Sequence, residues 1–240
     1  RLTRGPGSGN LPTATVPAAL FDLDGELWLG TADGLMVCFS PYNAFNGKSI
    51  DAQYLLVAEN GINQRVLNGQ NILSMALDGA NRKWIGTADA GAFLLSPDGL
   101  ETIYHFTAEN SPLLSNRVQS LYVDPSSGEV FIGSNRGLLS FRATATQTAP
   151  NLNGIEVFPN PVKPDYAGPI SVRGLVPESY VKVTDQNGRL LYEGYATGGQ
   201  FTWDGYSLEG ILAPSGIYLF WITDPLGAQT AVVQGVIIRP

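Results

Sequence analysis

Two carboxylates stand two residues apart, at Asp22 and Asp24, in the stretch AALFDLDGELWLG. On a strand, residues i and i+2 face the same side. The pair could therefore ligate Ca²⁺ together with the carbonyls of the Asp24-Gly25 turn. Related stretches later in the chain keep only the first acid: Asp78 is followed by Ala80, and Asp124 by Ser126. A repeated calcium loop would keep its ligands. Turn hydrogen bonding is thus the favoured role of the shared aspartate, with Ca²⁺ at Asp22 and Asp24 as the alternative.

Other chemistry is sparse. The chain has one histidine, His105, and one cysteine, Cys38. That nearly excludes a transition-metal cluster or a Cys/His dyad. His105 lies in TIYHFTAE, where it reads as a partly exposed residue of an outer strand. No nucleophile-elbow motif is present. GPGSGN lacks the Lys-Ser/Thr and the strand-to-helix context of a phosphate loop. Trp203-Asp204-Gly205 reads as a turn with a packed aromatic. No catalytic residue, cofactor or enzymatic activity is expected. Lys163, Arg173, Lys182 and Arg189 are candidates for a glycan- or anion-binding face, with Arg173 and Lys182 expected on adjacent strands; a solvated face is the favoured reading of the four.

The elements that must carry these residues follow from composition. The chain has 240 residues, 44% hydrophobic and 15% charged, with 28 glycines and 16 prolines. This is a folding composition of short strands and tight turns, sized for one large all-β domain or two smaller ones. A net charge of −7 is the opposite of a nucleic-acid footprint and disfavours anionic headgroups. A single cysteine rules out an intrachain disulfide. No apolar run approaches the ~18 residues of a membrane span. The opening RLTRGPGSGN has no signal-peptide apolar core, so a mature or truncated piece of an exported protein, or a cytoplasmic one, is expected.

DGELWLGTADGL is echoed by KWIGTADAGA and by VFIGSNRGLL. In register, Asp22, Asp78 and Asp124 coincide, as do Trp28, Trp84 and Phe131, and Gly30, Gly86 and Gly133. Spacings near 50 residues point to a supersecondary unit in the range of propeller blades. The first copy parses into strands AALFDLD, ELWLG, LMVCF and AQYLLVA, joined by Asp-Gly hairpin turns. Four antiparallel strands in meander order make one blade. Trp28 is expected to pack on one neighbouring blade, Leu27 and Leu29 on the other, and Gly30 to permit a bulge or a close backbone approach. The second copy covers about 72–108 and the third about 118–143. Three blades do not close a ring of about four to eight, and the third copy lacks a fourth strand. A fragment of a larger ring, with blades missing upstream, is expected over residues 1–149.

At ATATQTAP the phrase stops and the stretch reads as a linker. Residues 150–240 then supply GIEVF, PISVRGL, SYVKVTD, RLLYEGYA, QFTWDG, GIYLFWITD and AVVQGVIIR. Seven short strands in this length fit an immunoglobulin-like β-sandwich. Its expected buried stripe is Val157, Val181, Val183, Leu190, Trp203, Tyr218, Phe220 and Ile222. The fold class is therefore all-β, a partial propeller of about three blades followed by an immunoglobulin-like sandwich.

The crossover LLSNRV, the strand ending at Asp124 and the WIGT-like phrases resemble the two-component regulator propeller repeat of bacterial sensor and surface proteins, over roughly residues 10–143. VFPNPV, VTDQNGRLLYEG, WDG, SGIYLF and the closing VVQGVIIRP resemble the C-terminal sorting domain of type IX secretion cargo, although Arg239-Pro240 departs from its often lysine-bearing tail. The two in this order resemble a surface component of the type IX secretion machinery. That resemblance implies an exported, outer-membrane-associated, non-enzymatic adaptor. Its implied partners are the surface sortase, other components of the system and anionic lipopolysaccharide, with no nucleic acid. The alternative is an extracellular carbohydrate-binding sensor propeller of a two-component-type system.

Overall fold

The computed structural model describes residues 2–59 and 61–239. Arg1, which opens RLTRGPGSGN, Asn60, and Pro240, which closes VVQGVIIRP, lie outside the described residues. Its regular secondary structure is almost all β-strand, with one 3-10 helix at Pro41–Asn46 among the described residues. It divides into two compact units, Arg1–Asp124 with Glu129–Arg142, and Pro125–Gly128 with Ala143–Pro240.

In the first unit the chain runs β1 (Ser8–Gly9), β2 (Ala18–Phe21), β3 (Leu27–Thr31), β4 (Gly34–Cys38), the 3-10 helix, β5 (Ile50–Asp51), β6 (Gln53–Tyr54), β7 (Leu56–Glu59) and β8 (Ile62–Arg65). It continues with β9 (Ile72–Leu77), β10 (Lys83–Thr87), β11 (Ala92–Leu95), β12 (Thr102–Phe106), β13 (Val118–Val123), β14 (Glu129–Ser134) and β15 (Gly137–Arg142). Each copy of the phrase forms its own antiparallel sheet, ordered β2-β3-β4-β6, β9-β10-β11-β12 and β13-β14-β15. The turns at Asp24-Gly25 and Asp33-Gly34 hold their glycines at φ 82° and 105°, a region that disfavours residues with a Cβ. The fourth strand of the first sheet is shorter than AQYLLVA suggests. Only Gln53 and Tyr54 pair with β4, after which Leu56–Glu59 turns away into a separate hairpin with β8.

Successive sheets of this unit pack through their first strands. β9 lies against β2 and β3, and β13 against β9 and β10. Trp28, fully buried, faces the second sheet in a cluster with Ile72, Ile85, Phe93 and Leu95. Trp84, fully buried, meets Phe141 of the third sheet at 6.0 Å between ring centroids. The glycine two residues on opens room for this packing. A Cβ on Gly30 would stand 2.5 Å from Ile72 Cγ2, and one on Gly86 2.6 Å from Val118 Cγ1. Close approach between neighbouring sheets is thus the role of these glycines; Gly86 also borders a bulge at Thr87. The opposite face of the first sheet differs from expectation: Leu27 and Leu29 pack with Leu2, Leu11 and Val16 of the N-terminal segment.

The second unit contains β16 (Glu156–Phe158), β17 (Ile170–Arg173), β18 (Tyr180–Asp185), β19 (Leu190–Tyr195), β20 (Gln200–Trp203), β21 (Gly216–Thr223) and β22 (Thr230–Ile237). They form two sheets, β16-β17-β20 and β19-β18-β21-β22. Val172, Val181, Val183, Phe201, Trp203, Tyr218, Phe220 and Ile222 share one buried cluster. Burial of side chains of this size contributes roughly 1.5–3 kcal/mol each. Leu190 departs from the expected stripe, being 39% exposed while Leu191 is buried. The cause is a register shift between Val183 and Thr184, which pairs Thr184 with Leu190 and skips Leu191; one extra residue turns its neighbours over. The stretch read as a linker is ordered within this unit: Ala143, Ala145 and Thr146 are buried, and Thr146 bridges Gly198.

Candidate functional site

Two of the shared aspartates, Asp22 and Asp78, are turn residues. Asp22 Oδ1 accepts the backbone N–H groups of Asp24 and Glu26, and Asp78 Oδ1 those of Ala80 and Arg82. Asp185 repeats this arrangement in the second unit with Asn187 and Arg189. The other oxygen differs between copies. Asp22 Oδ2 accepts from Trp28 Nε1 and from Lys83 Nζ, both at 2.9 Å. Asp78 Oδ2 accepts instead from Arg82 Nε at 2.7 Å. Asp24 does not join Asp22: its carboxylate accepts from Asn81 Nδ2 at 2.7 Å. The Lys83 ammonium also donates to Pro97 O and lies 4.3 Å from the centroid of the Trp28 ring. Among the described residues no three His, Cys, Asp or Glu side chains converge on a metal-sized point.

Burial pushes the Asp22 carboxyl up, but hydrogen bonds from Lys83, the Glu26 N–H and Trp28, together with the Lys83 charge, outweigh it and hold the group below its ordinary value. Burial raises Glu26, as does the neighbouring Asp22 charge. His105 lies on β12, stacked on Phe93 at 4.0 Å between centroids and 2.8 Å from Ala90 O. Burial raises the Cys38 thiol, which makes it a poor nucleophile at neutral pH.

The four candidate basic residues of the second unit are dispersed. Arg173 is on β17, which pairs with β16 and β20; Lys182 is on β18, which pairs with β19 and β21. Consecutive strands here belong to different sheets, so Arg173 and Lys182 are not the neighbours that chain order suggests. Arg173 donates to Gln200 Oε1 at 2.9 Å. Arg189 pairs with Glu209 at 3.2 Å and Lys182 with Glu193 at 3.9 Å. Lys163 is exposed in the segment after VFPNPV. Two other groupings were not singled out in sequence. One is an exposed aromatic run, Phe21, Tyr42 and Phe45, with centroids 6.2 and 6.5 Å apart in succession. The other surrounds Lys182, where Tyr180, Tyr195 and Trp221 line a cleft.

VFPNPV and SGIYLF have a structural role on the last strand. Asn160 accepts from Val236 N–H at 3.0 Å and donates to Gln234 O at 3.1 Å. Val162 forms a parallel bridge with Ile237. Ser215 Oγ donates to Arg239 O and accepts from its N–H. The chain's terminal strand is thus held by β21 on one side and by the NPV segment on the other.

No protein-family model matches the chain, and no curated protein matches it in sequence. A solved structure does. It is PorZ, described as an essential bacterial surface component of the type-IX secretion system of Porphyromonas gingivalis, 29% identical over 95% of this chain with a TM-score of 0.60. This chain covers 31% of the PorZ chain. The chain therefore has a PorZ-like fold along nearly its whole length. The extracellular domain of the one-component system BT4673 from B. thetaiotaomicron aligns at 17% identity over 92% of this chain and 31% of its own, with a TM-score of 0.36.

Lys83 left a signal in the sequence. It occupies the position of Leu27 in the first copy and Val130 in the third, and a lone charge in a buried apolar strand needs a partner. The cleft left a signal too: Tyr180, Lys182 and Thr184 alternate with Val181 and Val183, the pattern of an outward face.

Proposed function

We propose that this chain is part of an exported cell-surface component of a type IX secretion machinery, acting as a non-enzymatic adaptor in cargo handling. The observation that carries the reading is the likeness to PorZ, which spans both units in order at 29% identity. The motifs of the second unit support it, because VFPNPV and SGIYLF both bear on the terminal strand.

In this reading the first unit is an arc of a β-propeller and the second an immunoglobulin-like sandwich. The arc is supported by a recurring geometry. The aromatic and glycine of each copy face the next sheet, Gly30 against Ile72 and Gly86 against Val118. Phe131 and Gly133 present the same face beside Tyr122 and Leu138, which are 59% and 67% exposed. A further copy of the repeat would cover them. The partners in this reading are the surface sortase, other components of the system and anionic lipopolysaccharide.

Epitope-tagged protein on intact cells tests the placement. Labelling by a membrane-impermeant reagent is expected; labelling only after lysis overturns it.

A further inference from the structure

We propose that the outer face of the β19-β18-β21-β22 sheet carries a binding cleft for a neutral glycan, whose pyranose rings stack on Tyr180, Tyr195 and Trp221. The cleft has a volume of about 800 Å³. Strand register brings the three rings onto one face. Tyr180 pairs with Tyr195 across β18 and β19, and Lys182, two residues on, pairs with Glu193 on one side and Trp221 on the other. Residues two apart on a strand share a face, and diagonal neighbours on adjacent strands are within reach of aromatic side chains. Trp221 is 44% exposed and Tyr195 71% exposed. Exposed rings grouped in this way mark binding surfaces more often than single exposed residues do.

The rings are held in place. Trp221 Nε1 donates to Thr184 Oγ1 at 3.0 Å, which fixes the indole while leaving its face open. The Tyr180 and Tyr195 rings are 4.9 Å apart and inclined at 50°. Glu193, opposite Lys182 on β19, pairs with it at 3.9 Å. A site assembled before binding loses less side-chain freedom when it is filled.

Charge selects the class of ligand. Glu178 and Asp224 line the cleft, and Glu193 borders it through Lys182. A polyanion would meet these three carboxylates. The place beside the Tyr180 ring that a guest ammonium would take is already held by the Lys182 ammonium, 5.7 Å from the ring centroid and paired with Glu193. A neutral sugar needs neither an anion's place nor a cation's. Its hydroxyls donate to carboxylates and accept from Lys182 and tyrosine hydroxyls, and its C–H face packs against the rings. The inference is independent of the secretion reading, since it is measured on the purified chain.

Trp28, Trp84 and Trp203 are at most 1% exposed, so quenching of tryptophan fluorescence by acrylamide reports on Trp221. The probes are maltohexaose, cellohexaose and chitohexaose, with polygalacturonate and hexalysine as the charged competitors. At least one neutral hexasaccharide is expected to shield Trp221. Tyr195→Ala, which truncates a largely exposed ring, is expected to lower that affinity about tenfold or more with the melting temperature unchanged. Trp221→Ala, followed by calorimetry, is expected to do the same. Absence of shielding by all three hexasaccharides, stronger binding of either charged polymer, or unchanged affinity in both variants would overturn the proposal.

Discussion

Lys83 places its ammonium 2.9 Å from the carboxylate of Asp22, 61 residues earlier, and both side chains are shut off from solvent. The pair ties the first two sheets of the repeat unit together. Breaking a buried ion pair costs about 3–5 kcal/mol, because it leaves an uncompensated charge. Lys83→Met is expected to lower the urea midpoint accordingly, and adding Asp22→Asn to recover part of the loss. The Asp22 carboxyl sits below its ordinary value in the folded chain. Its stabilisation is therefore complete above the unfolded value of about 3.9 and is lost as pH falls through the lower folded value. Removing Lys83 raises the folded value, so acid unfolding monitored by circular dichroism should begin at a higher pH in Lys83→Met.

The two buried tryptophans of the repeat differ in one atom's surroundings. Trp28 Nε1 donates to Asp22, whereas Trp84 Nε1 is buried without a partner among the described residues. Trp28→Phe gives up a charge-assisted hydrogen bond worth roughly 1.5–3 kcal/mol. Trp84→Phe, which makes the second copy like the third, gives up none. Denaturant unfolding of the two variants is expected to show the larger loss for Trp28→Phe. Equal losses would mean that the Asp22 contact contributes nothing.

The phrase glycines are ordered by what stands opposite them. A Cβ on Gly86 would stand 2.3 Å from Ser74 Oγ, 2.6 Å from Cγ1 of the β-branched Val118 and 3.0 Å from Val118 O, so more than one hydroxyl must yield. On Gly133 the nearest atom is Ser120 Oγ, at 2.2 Å, a side-chain end that can rotate away. Overpacking of this kind costs about 1–3 kcal/mol where the neighbour cannot yield. Gly86→Ala is expected to fall in that range and Gly133→Ala below it, as read from denaturation midpoints.

Asn160 joins the NPV segment to the terminal strand through two backbone contacts. Each such hydrogen bond contributes about 0.5–1.5 kcal/mol net. Asn160→Ala is expected to speed amide exchange at Val236 more than at the β18 amides of Val181 and Val183. Uniform acceleration across the second unit would instead indicate a global loss of stability.

Local features of the fold were legible in the sequence. Alternating apolar residues and Asp-Gly turns marked β2 to β4, and the recurring Trp-x-Gly phrase marked a close contact, because these signals lie within a few residues. Features set by distant pairing were not. The separation of Arg173 from Lys182 depends on β17 joining β20 while β18 joins β21. The outward turn of Leu190 depends on a register shift against β18. The Asp22–Lys83 pair depends on how two sheets stack. Tyr180, Tyr195 and Trp221 were visible only as outward positions on separate strands, and register alone made them one cleft.

The proposed service to a type IX secretion machinery is tested by the fate of sorting-domain cargo in the source organism when the gene encoding this chain is deleted, followed by fractionation and immunoblotting with a complemented strain beside it. Cargo is expected to lose its surface attachment in the deletion strain and to regain it on complementation. Cargo that remains processed and surface-attached without the gene would overturn the proposed function.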